Sequence, residues 1–223
     1  LKIAEIFYSL QGEGSLVGMP SVFVRTSGCN LRCSWCDTPY TSWKPEGVEM
    51  PLDRIVEQTV RHRARHVVVT GGEPLIASGI VDLTHRLRER GLHITIETAG
   101  TVFAPVACDL MSISPKLSNS TPEGPFREHH ERLRVQPEVL GRLMDRYEYQ
   151  LKFVIAAPDD LGEAAALIEK AGADPRRVQL MPEGTDAAVL RERALWLAEE
   201  CKRLGYRFSP RLHVDLWGSR RGV

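Results

Sequence analysis

The 223-residue sequence predicts an α/β fold, a partial, open parallel β/α barrel of about six central strands. Three observations predict it. Short segments rich in Val and Ile alternate with helix-like segments along the chain. Several of the short segments are apolar throughout, as parallel strands covered on both faces are. Polar or glycine residues follow nearly every one of them, at the carboxyl ends where parallel α/β folds bind ligands. About six central strands are too few to close an eight-stranded barrel, so the sheet is expected to stay open.

Taken in order, strands are expected at 2–10 (KIAEIFYSL) and 21–26 (SVFVRT). Pro51 then opens a helix on the stripe Leu52, Ile55, Val56 and Val60. A strand at 66–71 (HVVVTG) precedes a second helix on Ile80, Leu83 and Leu87, with Ser78 as its cap and Gly91 past its end. Strands at 93–98 (HITIET) and 109–114 (DLMSIS) follow. Residues 117–134 are polar and unpatterned, an expected lid or insertion. Pro137 opens the helix of Val139, Leu140 and Met144, and a strand runs over 149–155 (YQLKFVI). Asp160 can cap the next helix, which stops at Gly172. After a strand at 178–182 (VQLMP), Asp186 can cap a long helix ending before Gly205, and a last strand is expected near 206–214. Nothing marks a linker, so residues 1–223 are read as one domain.

With 43% hydrophobic residues the chain can fill a sizeable core. Lys plus Arg equals Asp plus Glu, 29 each, which gives no broad electrostatic reason to expect nucleic acid. No charged-then-apolar leader is visible, and no run of about eighteen apolar residues would span a bilayer. Five cysteines without a regular framework argue against a secreted disulfide scaffold and for a reducing compartment. A soluble, cytoplasmic protein is expected. Cys201 falls on the helical stripe Leu190, Ala194, Leu197, Cys201, Leu204 and reads as a buried small hydrophobe.

The other feature that carries chemistry is GCNLRCSWCDTPY, which spaces Cys29, Cys33 and Cys36 as C-x3-C-x2-C. A closed zinc site or an electron-transfer cluster wants a fourth ligand at a regular offset. Three thiolates on a [4Fe–4S] cluster leave one iron open to a small molecule, so the site reads as catalytic. Gly71-Gly72-Glu73-Pro74, after the third strand, lets the backbone approach a ligand, while the Glu73 carboxylate accepts from an ammonium or fixes the loop. Ser114, Lys116 and Gln179 are candidate partners for ribose, carboxylate and adenine edges, or else solvated loop polarity. Arg25 is either a strand-end arginine in an ion pair or a fixed cation for a substrate carboxylate.

The cysteine string resembles that of the radical S-adenosylmethionine (SAM) enzymes, in which the open iron is chelated by the amino and carboxylate groups of SAM and one electron cleaves SAM to a 5′-deoxyadenosyl radical. GGEP resembles the superfamily's motif against the SAM amino group. The fuller set, YSLQGEG (8–14), Arg25, CDTPY, VTGGEP, IETAG, SPK, KFV, QLMPEG and LHVDLWGSRRGV, is similar to the 7-carboxy-7-deazaguanine synthase family from residue 5 to the end. The resemblance implies a homodimeric enzyme that converts 6-carboxy-5,6,7,8-tetrahydropterin to 7-carboxy-7-deazaguanine and ammonia, on the route to queuosine and related bases. It implies a [4Fe–4S] cluster, SAM and Mg²⁺, and an electron donor of flavodoxin or ferredoxin type. Carried over by position, Trp35, Cys36, Asp37, Gly71, Gly72, Glu73, Ser114, Lys116, Gln179, Leu180, Met181 and Pro182 would hold SAM. Leu10, Gln11, Gly12, Glu13, Arg25, Thr70, His213 and the last residue, Val223, would hold the pterin. Thr38 would help bind Mg²⁺, or it only stabilises the Asp-Thr-Pro turn. A glycyl-radical-enzyme activase shares the cysteine spacing but leaves Gln11 and Arg25 unexplained. An iron–sulfur electron carrier is the non-enzymatic alternative, separable by a cluster that ignores SAM.

Overall fold

The computed structural model describes Leu1–Val223. Its first strand, β1 (Lys2–Leu10), pairs antiparallel with β2 (Pro20–Thr26), and Leu10 lies opposite Pro20. After the short helix α1 (Pro39–Ser42), the two-residue β3 (Val48–Glu49) closes that edge on β1. From β2 onward the chain winds as expected. Helix α2 (Leu52–Arg61) leads to β4 (His66–Gly71), and α3 (Ile80–Glu89) leads to β5 (His93–Thr98). Next come β6 (Leu110–Ile113), α4 (Arg127–Arg134), α5 (Pro137–Arg146) and β7 (Tyr149–Ile155). Helix α6 (Asp160–Ala171), β8 (Val178–Pro182), α7 (Ala187–Leu204), β9 (Arg207–Phe208) and α8 (Leu212–Trp217) complete the chain.

The sheet order is β3-β1-β2-β4-β5-β6-β7-β8-β9, and every neighbouring pair from β2 to β9 is parallel. Parallel neighbours that follow in chain order need crossovers of one hand, which put the helices on one face and curl the sheet around the other. The edges β3 and β9 do not meet, so the barrel is open.

Strand periodicity divides each strand between two environments. On β7, Leu151, Phe153 and Ile155 enter the hydrophobic core beneath the helices, while Lys152 and Val154 face the lumen. Val67 and Val69 on β4, Ile94 and Ile96 on β5, and Met111 and Ile113 on β6 are likewise core, with Thr70, Glu97 and Ser112 turned inward. Each fully buried Leu, Ile or Phe contributes about 1.5–3 kcal/mol, so the outer face stabilises the fold and leaves the lumen free for polar groups.

Four expectations need correction. The first strand is antiparallel to the rest, so the loop after it starts at the amino-terminal ends of the parallel strands, not at their carboxyl ends. The last expected strand is only Arg207–Phe208; Leu212–Trp217 is helical, which puts His213 on a helix. Residues 117–134 are structured: Ser120 and His130 are fully buried, and Arg127–Arg134 is α4. Finally, Ser78 does not cap α3, whose first turn follows Gly79 in the left-handed region, and the Asp160 carboxylate accepts from Ala156 and Ala157 of the preceding loop. Asp186 does cap α7, accepting from the amides of Ala188 and Val189.

Candidate active site

The lumen holds one large cavity, and the carboxyl ends of the parallel strands supply its upper wall. Cys29, Cys33 and Cys36 all line it, on the loop between β2 and α1. Burial raises the Cys29 thiol to about 11 and the Cys33 thiol to about 12, so both are protonated in the cluster-free chain. No three His, Cys, Asp or Glu side chains gather closely enough to hold a single metal ion. Gly72 fits the same picture. A Cβ there would meet the Gly28 carbonyl at 2.2 Å and Cys29 Cβ at 2.8 Å, so only glycine lets β4 abut the cysteine loop.

The loop is held from behind by the stretch that the sequence left unpatterned. The Arg32 amide donates to His130 Nδ1 (3.2 Å), and His130 Nε2 meets Ser120 Oγ (2.9 Å), whose own hydroxyl proton goes to the Leu117 carbonyl. That chain leaves the Nε2 proton for Ser120 and fixes one neutral tautomer. Burial holds His130 down at about 4. The Ser34 amide donates to the Ser120 carbonyl (2.9 Å), and Trp35 Nε1 donates to the Asn119 carbonyl (2.9 Å). In front of Trp35, the Lys116 ammonium lies 5.8 Å from the indole centroid and donates to the Ser114 hydroxyl and carbonyl, each at 2.9 Å. Trp35, Ser114, Lys116, Gly71 and Met181 therefore share the wall beside the cysteines.

Other residues expected against SAM go elsewhere. Glu73 is fully buried outside the cavity wall, and its carboxylate accepts from the Leu75 amide, Thr98 Oγ1 and the Ala99 amide at 2.8–3.1 Å. Of its two expected roles, fixing the loop is the one observed; burial raises its carboxyl above the usual range. Gln179 points below the cavity, donating to Ser15 Oγ (2.8 Å) and Gln150 Oε1 (3.0 Å). Leu180 belongs to the hydrophobic core, and Pro182 is buried behind the wall. The parity of β8 explains both, since only Met181 faces the cavity at the carboxyl end.

The loop after β1 rises into the lumen from the opposite end. Its lower part is pinned by Ser209 Oγ to the Gly14 amide (2.8 Å) and by Gln150 Oε1 to the Ser15 amide (2.8 Å). Gln11 donates to Glu97 (3.1 Å). Glu13 is ion-paired with Lys152 and Arg211, and Arg211 also reaches Asp37, the residue after Cys36. Burial alone would raise the Glu13 carboxyl, but Lys152 and Arg211 hold it well below the carboxylate range. Gly12 allows α8 to close over this loop, because a Cβ would strike His213 Nδ1 at 1.9 Å. His213 lines the cavity, and its pKa is lowered by burial against an opposing pull from Glu13.

Leu10, Gln11, Gly12, Glu13, Arg25, Thr70, His213 and Val223 all line the cavity, as expected for one binding region. Arg25 makes the ion pair that its strand-end position allowed, its Nε donating to Glu5 (2.7 Å), and its side chain lines the wall 5.9 Å from the Phe7 ring centroid. Phe7 stacks on Phe23 at 5.0 Å, giving that wall an aromatic floor. Thr38 lines the cavity too; its carbonyl accepts from Thr41 Oγ1 (2.9 Å) and its hydroxyl makes no helix cap. Sequence reasoning placed Glu97 and Lys152 only among the polar groups near strand ends, without a role, and did not single out Arg211. A charge at an inward position of an otherwise apolar strand, as in YQLKFVI, was the available signal for Lys152.

The radical SAM superfamily model matches residues 23–139. A 7-carboxy-7-deazaguanine synthase of Halobacterium salinarum is 46% identical, covering 97% of this chain and 90% of the relative. One from Rhodopirellula baltica is 43% identical over 100% of this chain and 89% of its own length. The crystal structure of QueE from Escherichia coli superposes with a TM-score of 0.70 at 28% identity, covering 95% and 94% of the two chains. With three cysteines and a charged polar pocket facing one lumen, and with relatives this similar over nearly their whole length, the chain belongs to the 7-carboxy-7-deazaguanine synthase family of the radical SAM superfamily.

Proposed function

We propose that residues 1–223 act as a single radical SAM domain that contracts the ring of 6-carboxy-5,6,7,8-tetrahydropterin to 7-carboxy-7-deazaguanine, releasing ammonia, on the route to queuosine and related 7-deazapurines. The observation that carries this reading is one cavity lined by Cys29, Cys33 and Cys36 together with Gln11, Glu13, Arg25 and Thr70. A bound [4Fe–4S] cluster and SAM supply the one-electron, hydrogen-abstracting chemistry that no side chain here can supply. The three cysteines would hold the cluster. Trp35, Lys116, Ser114 and the backbone at Gly71 and Gly72 receive SAM, with the Lys116 ammonium placed for a carboxylate.

The chain's own groups then bind and orient the substrate. Glu13, acceptor-only because its cations keep it ionised, takes the donor edge of the aminopyrimidinone, and Gln11 offers both donor and acceptor. Arg25, anchored through Nε on Glu5, keeps its terminal amino groups for the substrate carboxylate. The Phe7–Phe23 stack offers an apolar face to the ring. Fixed in this way, the substrate presents its reacting carbon toward the cysteine end, which is the positional part of catalysis.

Thr38, on the same wall, is the residue we assign to Mg²⁺; its hydroxyl would supply one hard oxygen ligand, and substrate oxygens and water would supply the others. A cytoplasmic homodimer reduced by a flavodoxin- or ferredoxin-type donor completes the proposal. No helix is long and apolar enough to cross a membrane. The test is direct: reconstituted, reduced protein incubated anaerobically with SAM and 6-carboxytetrahydropterin yields the deazapurine and ammonia. SAM cleavage with the pterin recovered unchanged would overturn the assignment.

A further inference from the structure

We propose that Arg211 is a positioning residue that couples occupancy of the pterin site to the cysteine loop, so that SAM and pterin bind cooperatively through it. The inference rests on the function proposed above, and it goes beyond the two binding sites themselves.

Arg211 is 7% exposed and directly precedes α8. Its guanidinium spends its donors on three separate segments. Nε donates to Glu13 (3.1 Å) on the loop after β1, Nη1 donates to the Gly184 carbonyl (2.5 Å) after β8, and Nη2 donates to Asp37 beside Cys36. The next amide, Leu212, donates to the Gly12 carbonyl (2.9 Å), so the base of the fork is tied to the loop that carries Glu13. These contacts join residues 174 and 198 positions apart, and they reach both ends of the cavity.

A guanidinium is a rigid planar fork, so a change at one acceptor is felt at the others; an ammonium would make a single point contact. Glu13 already serves two cations, Lys152 and Arg211. When a ligand's donor edge reaches that carboxylate, it competes for the oxygen that Nε holds. The fork then leans on its remaining acceptors, Asp37 and Gly184, and the residue next to Cys36 is drawn in. Glu97, Arg25 and His213 complete the charges facing this network, and none of them touches Asp37 within hydrogen-bond distance. Arg211 is therefore the bonded route between the two halves.

Coupling between two ligands is reciprocal and is read as a ratio of affinities. The cluster-loaded protein is kept oxidised, so that SAM is not cleaved, and SAM affinity is measured by calorimetry with and without 6-carboxytetrahydropterin. Wild type binds SAM on the order of 5- to 150-fold more tightly with pterin present. In Arg211→Gln that ratio falls to within about twofold of one, and in Arg211→Lys it recovers only in part. Asp37→Ala, at a half-exposed position that a fold tolerates, removes the far end of the route and abolishes the ratio as well. A purely structural role would weaken both ligands and leave the ratio intact, and that result overturns the proposal, as does a wild-type ratio of one with both ligands bound. A wild type that binds SAM but no pterin instead refutes the proposed function, and the coupling with it.

Discussion

At the carboxyl end of the lumen, Cys29 and Cys33 face the cavity as neutral thiols with no ion-pair partner, whereas at its floor Glu13 is met by Lys152 and Arg211 and Arg211 by Asp37. Both regions are buried, and burial opposes charge in each. The floor supplies its own counter-charges, so it is complete as folded. At the cysteine end Lys116 and Arg32 offset burial only in part, so the thiolates form when a metal group takes the proton's place. The difference separates a surface prepared for an organic ligand from one finished by an inorganic ligand. It also explains why the rim is held from outside, by His130, Ser120 and Asn119, and not by charges of its own.

The largest effect expected is on the rim. Cys33→Ala abolishes turnover and the [4Fe–4S] spectrum, since two thiolates do not hold the cluster, while the unfolding midpoint of the cluster-free chain stays close to wild type. A variant that keeps its iron content and product formation would break the contrast at once. Lys152→Met does the reverse: removing one partner of a buried pair costs about 3–5 kcal/mol, toward the lower figure here because Arg211 remains on Glu13. Denaturant unfolding reads that loss, and a stability within about 0.5 kcal/mol of wild type would show that the floor is not ion-pair dependent.

His130 gives the rim a pH dependence. Its folded value, about 4, lies below its unfolded value of 6.5, so the unfolded chain binds the extra proton first and stability falls as pH drops from 6.5 toward 4. The loss approaches about 3 kcal/mol. It arises because burial disfavours the imidazolium, and a protonated Nδ1 also loses the bond it accepts from the Arg32 amide. Comparing the cluster-free wild type with His130→Gln across that window, the difference between them should shrink as pH falls; a constant difference would remove His130 from the acid response.

Smaller effects sharpen the roles of two wall residues. Arg25→Ala raises the pterin KM roughly ten- to a hundred-fold, the equivalent of about 1.5–3 kcal/mol for a charge-assisted bond, with SAM binding nearly unchanged. Equal damage to SAM affinity would move Arg25 out of the pterin site. Thr38→Ala weakens the Mg²⁺ stimulation of turnover by a few fold and spares the cluster and uncoupled SAM cleavage. An unchanged Mg²⁺ dose response would leave Thr38 with its contacts to Thr41 and Cys36 alone.

Local chemistry was legible in the chain as written. The C-x3-C-x2-C spacing, the period-2 strands, the Asp186 cap and the stops at Gly172 and Gly205 all depend on residues within a few positions of one another, and the structure reproduces them. Resemblance added the membership of Gln11, Glu13, Arg25, Thr70 and His213 in one cavity. Only the tertiary structure decided the rest. An antiparallel β1 is a choice of ladder partner, and it brings residues 11–14 into the lumen from the end opposite to the one their place after a strand suggested. Gln179 and Glu73, polar residues beside the right motifs, are claimed by partners that no local pattern announces, Gln150 and Ser15 for one, Thr98 and Ala99 for the other. Arg211 carries no signal in sequence at all. Its partners are distant in the chain, and a buried charge is stabilised only by whatever the fold places beside it.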